Sequence, residues 1–149
     1  HVQTYSQFMN GAHLRQVLPD YDIVIDATDQ LENKFLINDV CVSAEKPFVH
    51  GGITGFSGQV MTYVPEKGPC YRCIFGEIPE DNAPVIGVTA GIIGTIQAAE
   101  AIRYLLGIPS LLTGKLLVLD GLRMQFRTVP FPHVSEHCPL HTRKGVTDL

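Results

Sequence analysis

Apolar and polar residues follow different rhythms along the chain, and each rhythm predicts a different element. The run "YDIVIDATD", Tyr21 to Asp29, is nearly unbroken in β-branched and apolar residues until it ends in small and acidic ones. A parallel strand buried on both faces reads this way where it enters a loop, so a central strand is predicted. In the following "LENKFLINDVCVSAE", Phe35, Leu36, Val40 and Cys41 recur at helical spacing, and Thr28 or Asp29 is placed to cap the first turn. "KPFVHGG" reads as a second short strand. Strand, helix and strand together make a unit of about 30 residues, the size of a βαβ crossover.

Beyond that unit the rhythm becomes period two. "SGQVMTYVP" and "KLLVLDGLRMQFRTVPF" alternate and are joined through glycine-containing turns, as antiparallel strands are. Between them lies the longest apolar stretch, Ala83 to Gly107, which reads as a buried helix whose Gly87, Gly91 and Gly94 permit close approach of another helix or subunit. With a first helix at about Ala12 to Leu18, the expected architecture is α/β with a mixed sheet, one domain over residues 1–149 and an irregular tail.

Composition narrows the classes of partner. At 149 residues and 45% hydrophobic, the chain has material for a single core, and its formal charge of −4 comes with scattered Lys and Arg. No basic stripe exists for a nucleic-acid backbone, so a nucleic-acid binder, including a zinc-ribbon type, is not expected. The apolar stretch is interrupted by Gln97, Glu100 and Arg103, short of the roughly 20 apolar residues a spanning helix needs. The start, "HVQTYSQFMN", has no basic leader or apolar h-region and reads as mid-domain.

Candidate chemistry concentrates in the cysteines. "GPCYRCIF" places Cys70 and Cys73 two residues apart, and "HCPLH" gives Cys138 and His141 the same separation. Thiolates and imidazole suit tetrahedral Zn²⁺, and such a gap lets both members of a pair reach one ion. A closed four-ligand shell implies a structural zinc that ties the tail to the cysteine loop. Other readings stand beside it. A redox pair normally opens a helix after a strand, whereas this one follows the turn "PEKGP"; a disulfide needs an oxidising compartment. His137 could replace His141, and Cys41 reads as a small core residue.

"DIVIDATDQLENKFLINDVCV", "GQVMTYVPEKGPCYRCIF", "GIIGTIQAAEAIRYLLG" and "CPLH", in this order, resemble the ThiF/MoeB/HesA family, bacterial relatives of ubiquitin-activating enzymes. The resemblance covers nearly the whole chain. It implies a Rossmann-like fold, a cytoplasmic homodimer, and ATP- and Mg²⁺-dependent adenylation of the C-terminal glycine of a ubiquitin-like sulfur carrier, with sulfur delivered by a separate donor protein. It sets Asp29 at the metal and triphosphate, in agreement with the carboxyl end of a parallel strand as a ligand site. A purely structural role for Asp29 is that of helix cap, worth about 1 kcal/mol. Asp26 is expected to bind neighbouring loops, and Asn38 and Asp39 to make local hydrogen bonds.

Where the family has Asn and Arg, this chain has Gln30 and Lys34; Lys34 keeps the charge of a phosphate ligand or clamp but not the bidentate fork. The glycine-rich phosphate loop of the family has no counterpart in "GGITGFSG", which precedes an antiparallel strand instead of opening a helix. The chain therefore reads as the carboxy-terminal part of a longer enzyme, lacking the first βαβ units and inactive alone. Some relatives carry a cysteine after the first CxxC; here Glu80 falls near that point, so a covalent thioester is not expected. The alternative function is a non-catalytic, zinc-stabilised module for dimerisation or carrier docking.

Overall fold

A computed structural model of the chain describes residues 1–76 and 84–141. Glu80, expected near the position of a relative's thiol, lies outside the described residues. Five strands form one mixed sheet in the order β1-β2-β3-β4-β5: β1 Val24–Asp26, β2 Phe48–Thr54, β3 Ser57–Tyr63, β4 Lys115–Asp120 and β5 Gln125–Pro130. Only β1 and β2 run parallel, joined by the crossover helix α2, Leu31–Ser43; the other neighbours are antiparallel. The remaining helices are α1 Gly11–Val17, α3 Tyr71–Phe75 and α4 Gly87–Leu105.

Alternation along the strands sorts the core into two layers. One face of the sheet presents Val49, Val60 and Leu119 to Ile93 and Ala101 of α4. The other presents Phe48, Met61, Tyr63 and Leu116 to Val40 and Cys41 of α2, Tyr71 of α3 and Cys138 of the tail. Cys41 is buried in that second layer, as a core residue should be, and burial pushes its thiol up to about 12. The β2–β3 turn uses Gly55 at φ 55, a left-handed conformation that glycine adopts without strain. Gly55 also ties the start of α4 to the sheet: its N–H donates to Pro84 O at 2.8 Å, and Thr89 Oγ1 donates to its carbonyl at 3.0 Å.

Three expectations change. The run Tyr21 to Asp29 yields a strand of three residues that, among the described residues, pairs on one side only and leaves Ile25 45% exposed. Helix α4 is not buried all round. Thr89, Ile93, Gln97, Glu100 and Ala101 face the sheet, whereas a Cβ at Gly87, Gly91 or Gly94 would meet nothing within 4 Å. Those glycines lie on an outward face that also carries Val88, Ile102 and Leu105, each more than half exposed. Finally, neither Thr28 nor Asp29 caps α2: its N-cap is Gln30, with no side-chain capping bond.

Candidate functional site

The carboxyl end of β1 and the facing residue of β2 hold a charged cluster inside an apolar sheet. Register pairs Asp26 with His50 across the parallel strands, and α2 brings Lys34 over both. Asp26 Oδ2 accepts from Lys34 Nζ at 3.2 Å and lies 2.9 Å from His50 Nδ1, while Oδ1 accepts from the Thr28 N–H at 3.0 Å and the Thr28 hydroxyl at 2.7 Å. Lys34 Nζ also donates to Gly51 O at 2.8 Å. From the opposite layer, Gln97 Nε2 donates to the carbonyls of Asp26 at 2.7 Å and Val49 at 3.2 Å. A side chain at Gly51 would occupy that amide's space, since a Cβ there would stand 2.5 Å from Gln97 Oε1.

Burial decides the charges. It pushes the Asp26 carboxyl up, but the His50 hydrogen bond, the Lys34 charge and the Thr28 hydroxyl together outweigh it and hold the group at about 2. Lys34 and His50 are both pushed down, burial being the largest cause for each. The cluster is thus anchored by an ionised carboxylate. Asp29, three residues on, is exposed on the loop that follows β1, beside the uncapped start of α2. Of the residues expected to meet a nucleotide, Asp29 faces solvent, and Lys34 directs its ammonium to Asp26 and Gly51 instead.

The second site is the cysteine cluster. Cys70 Sγ lies 3.7 Å from both Cys73 Sγ and Cys138 Sγ, and a ligand atom from each of Cys70, Cys73, Cys138 and His141 lies within 4.8 Å of every other. Metal–sulfur bonds of about 2.3 Å at a tetrahedral ion place sulfurs about 3.8 Å apart, so the spacing suits such an ion. His141 Nε2 is buried with no hydrogen-bond partner among the described residues, as a ligand nitrogen would be before an ion is counted. His137 is exposed and outside the cluster.

The thiol electrostatics are compatible with a bound cation. The hydrogen bond from Cys70 pulls Cys73 down to about 5, while that same bond pushes Cys70 up and burial pushes Cys138 up: one anion is accommodated and further ones are opposed. Local structure differs from expectation in one respect. Cys70 is the N-cap of α3, so the pair does open a short helix, which removes one reason for setting a redox pair aside. The convergence of Cys138 and His141 on the same point favours metal binding over a two-thiol redox site.

The two sites are joined through α2 and α3. Asn38 Oδ1 accepts from the Tyr71 N–H at 2.8 Å, and Asp39 takes the Arg72 guanidinium through Nε at 2.6 Å and Nη2 at 2.8 Å. Arg72 also lies 4.4 Å above the Phe35 ring. Asn38 and Asp39 therefore reach across to another helix, beyond the local bonding expected of them. Tyr71 completes the link, its ring centroid 4.5 Å from that of His50. Sequence reasoning missed His50, Gln97 and the central position of Asp26. The available signal was a polar residue at the end of each of two paired apolar runs.

Comparisons with known proteins identify the family and the fold. The ThiF family profile matches residues 1–140. SAMP-activating enzyme E1 of Haloferax volcanii is 40% identical over 155 aligned positions, covering 99% of this chain and 57% of that protein. Adenylyltransferase and sulfurtransferase MOCS3 of Drosophila persimilis is 34% identical over 154 positions, covering 95% of this chain and 34% of its own length. The chain thus spans about half or less of these relatives. Among solved structures, the microcin C7 biosynthetic enzyme MccB in complex with N-formylated MccA superposes with a TM-score of 0.75 at 17% identity, over 90% of this chain and 44% of that one. E. coli MccB with AMPCPP and MccA gives 0.73 at 19%, over 90% and 43%. These structures establish the shared fold. No helix among the described residues is long and apolar enough to cross a membrane.

Proposed function

The chain belongs to the ThiF family, and from that premise we propose that it is part of an enzyme using ATP to adenylate the C-terminal glycine of a small ubiquitin-like sulfur-carrier protein. The observation that carries this reading is the exposed Asp29 on a loop held by a buried carboxylate, next to the free amino end of α2. A carboxylate there can hold Mg²⁺ directly or through water, and the first amides of a 13-residue helix without a side-chain cap favour an anion. MgATP bound there would supply an electrophilic α-phosphorus, and the carrier's carboxylate would displace pyrophosphate from it to form the acyl-adenylate. Lys34 serves by holding the loop, since its ammonium is buried on Asp26 and Gly51.

The described residues fit the metal end of the nucleotide but not its whole length. "GGITGFSG" occupies the β2–β3 hairpin and opens no helix, so it is not a phosphate loop. The phosphate-binding groups are assigned to a further part of the enzyme, in keeping with the greater length of the relatives. Cys70, Cys73, Cys138 and His141 would hold a structural Zn²⁺, a thiolate site that fits the reducing cytoplasm. Sulfur is then delivered to the adenylated carrier by a separate donor protein. The test is carrier-dependent exchange of pyrophosphate into ATP by a longer chain that includes a nucleotide-binding half. That activity should be absent from the 149-residue chain and abolished by Asp29→Ala. Unchanged exchange in Asp29→Ala would remove this residue from the mechanism.

A second reading is favoured by the outward apolar face of α4, with Val88 63% and Ile102 56% exposed. In it the chain is a non-catalytic module for homodimerisation or carrier docking. Carrier binding without turnover, persisting when the nucleotide-binding half is present, would select it.

A further inference from the structure

His50 occupies a position where an imidazole is costly. Its Nε2 is buried and has no hydrogen-bond partner among the described residues, and leaving a buried polar atom unpaired is destabilising. If residue 50 only filled the space beside Tyr71 and Phe75, whose ring centroids lie 4.5 and 5.8 Å away, an apolar side chain would do so without that cost. The benefit must come through Nδ1. An ionised carboxylate can only accept, so the contact of 2.9 Å to Asp26 Oδ2 puts the proton on Nδ1 and leaves a bare lone pair on Nε2.

The bond then acts on the loop. Asp26 Oδ1 receives both the N–H and the hydroxyl of Thr28, a turn in which the side chain sets the backbone two residues on. Rotation of the carboxylate would break both contacts. It is prevented by donors at Oδ2, namely His50 from β2 and Lys34 from α2, while Gln97 of α4 holds the Asp26 carbonyl. Lys34 supplies the countercharge. His50 supplies direction, because an imidazole clamped by its neighbours has one donor in one place.

We propose that His50 and Asp26 are a positioning pair: the Nδ1–H of His50 fixes the Asp26 carboxylate, which through Thr28 sets the loop that presents Asp29. The catalytic consequence rests on the adenylation reading; the geometry does not. Three measurements test the pair. In the wild-type chain, long-range ¹H–¹⁵N spectra of His50 should show a protonated Nδ1 and a bare Nε2; the opposite tautomer would overturn the proposal. Hydrogen exchange at the Thr28 amide should accelerate about tenfold in His50→Leu, with the Val60 amide unchanged. His50→Asn, whose side-chain amide places a donor near the position of Nδ1, should restore it. Equal exchange in wild type and His50→Leu, or equal acceleration in both variants, would overturn it.

In the longer enzyme, His50→Leu should lower kcat for pyrophosphate exchange about tenfold with KM for the carrier unchanged, and His50→Asn should recover most of it. A loss confined to KM, or kcat unmoved by His50→Leu, would refute the catalytic part. If the wild-type longer enzyme shows no exchange while Thr28 protection still follows His50, the adenylation reading fails and the positioning pair stands.

Discussion

Replacing Asp26 by Asn tests how much of the fold depends on one negative charge. The carboxyl is held at about 2 against an ordinary 3.8, and at 1.36 kcal/mol per unit this represents about 2 to 3 kcal/mol of stabilisation. Asn retains an acceptor for Thr28 but turns an NH₂ toward two donors, Lys34 Nζ and His50 Nδ1. Leaving a buried ammonium without its partner raises the expected loss to about 3 to 5 kcal/mol. The folded-state value is depressed, so the contribution is complete above the unfolded value and is lost as pH falls through about 4 toward 2. Urea unfolding followed by circular dichroism should therefore show a difference between wild type and Asp26→Asn that is constant from about pH 7 to 5 and shrinks toward pH 2. A loss below about 1 kcal/mol at pH 7, or a difference that does not change on acidification, would refute the account of Asp26 as an ionised anchor.

Purified under reducing conditions, the chain should carry one tightly bound divalent ion per molecule; Cys70→Ser should lose it, and a metal-free folded wild type would exclude the site. Glu100 accepts from the Thr62 hydroxyl at 2.6 Å, the Leu112 N–H at 2.7 Å and Arg103 Nη1 at 2.6 Å, so Glu100→Ala should cost about 3 kcal/mol in chemical denaturation, against under about 1 kcal/mol if these bonds contribute little. Gly58→Ala would bring a methyl within 2.5 Å of Ile93 Cγ1; a destabilisation of about 2 kcal/mol should be partly relieved by adding Ile93→Ala, and strictly additive losses in the double mutant would contradict the contact.

What could be read from sequence follows the range of the interactions involved. The antiparallel strands, α2 and the cysteine–histidine cluster were legible because their signals are local: alternation, helical spacing, and paired ligands two residues apart. The face of α4 that meets solvent was not, since Val88, Ile102 and Leu105 are as apolar as the side that packs on the sheet. The composition of the first strand fits burial on both faces, whereas among the described residues it pairs on one side and Ile25 is half-exposed. The Asp26 cluster needed the register of β1 against β2, which sets residues 24 apart side by side. Asp29 was placed by resemblance; Thr28 and Asp26, which hold its loop, emerged only from hydrogen bonds.

Gly51 and Gln97 share one space, and that has an evolutionary consequence. A side chain acquired at position 51 would displace the Gln97 amide, because a Cβ there would stand 2.5 Å from Gln97 Oε1. Displacing or shortening Gln97 leaves the carbonyls of Asp26 and Val49 without that donor, so a change at either position weakens the same contacts. The two positions should therefore change together or not at all. Sequences that keep one and alter the other would be expected to carry a new donor, from α4 or elsewhere, directed at the carboxyl end of β1.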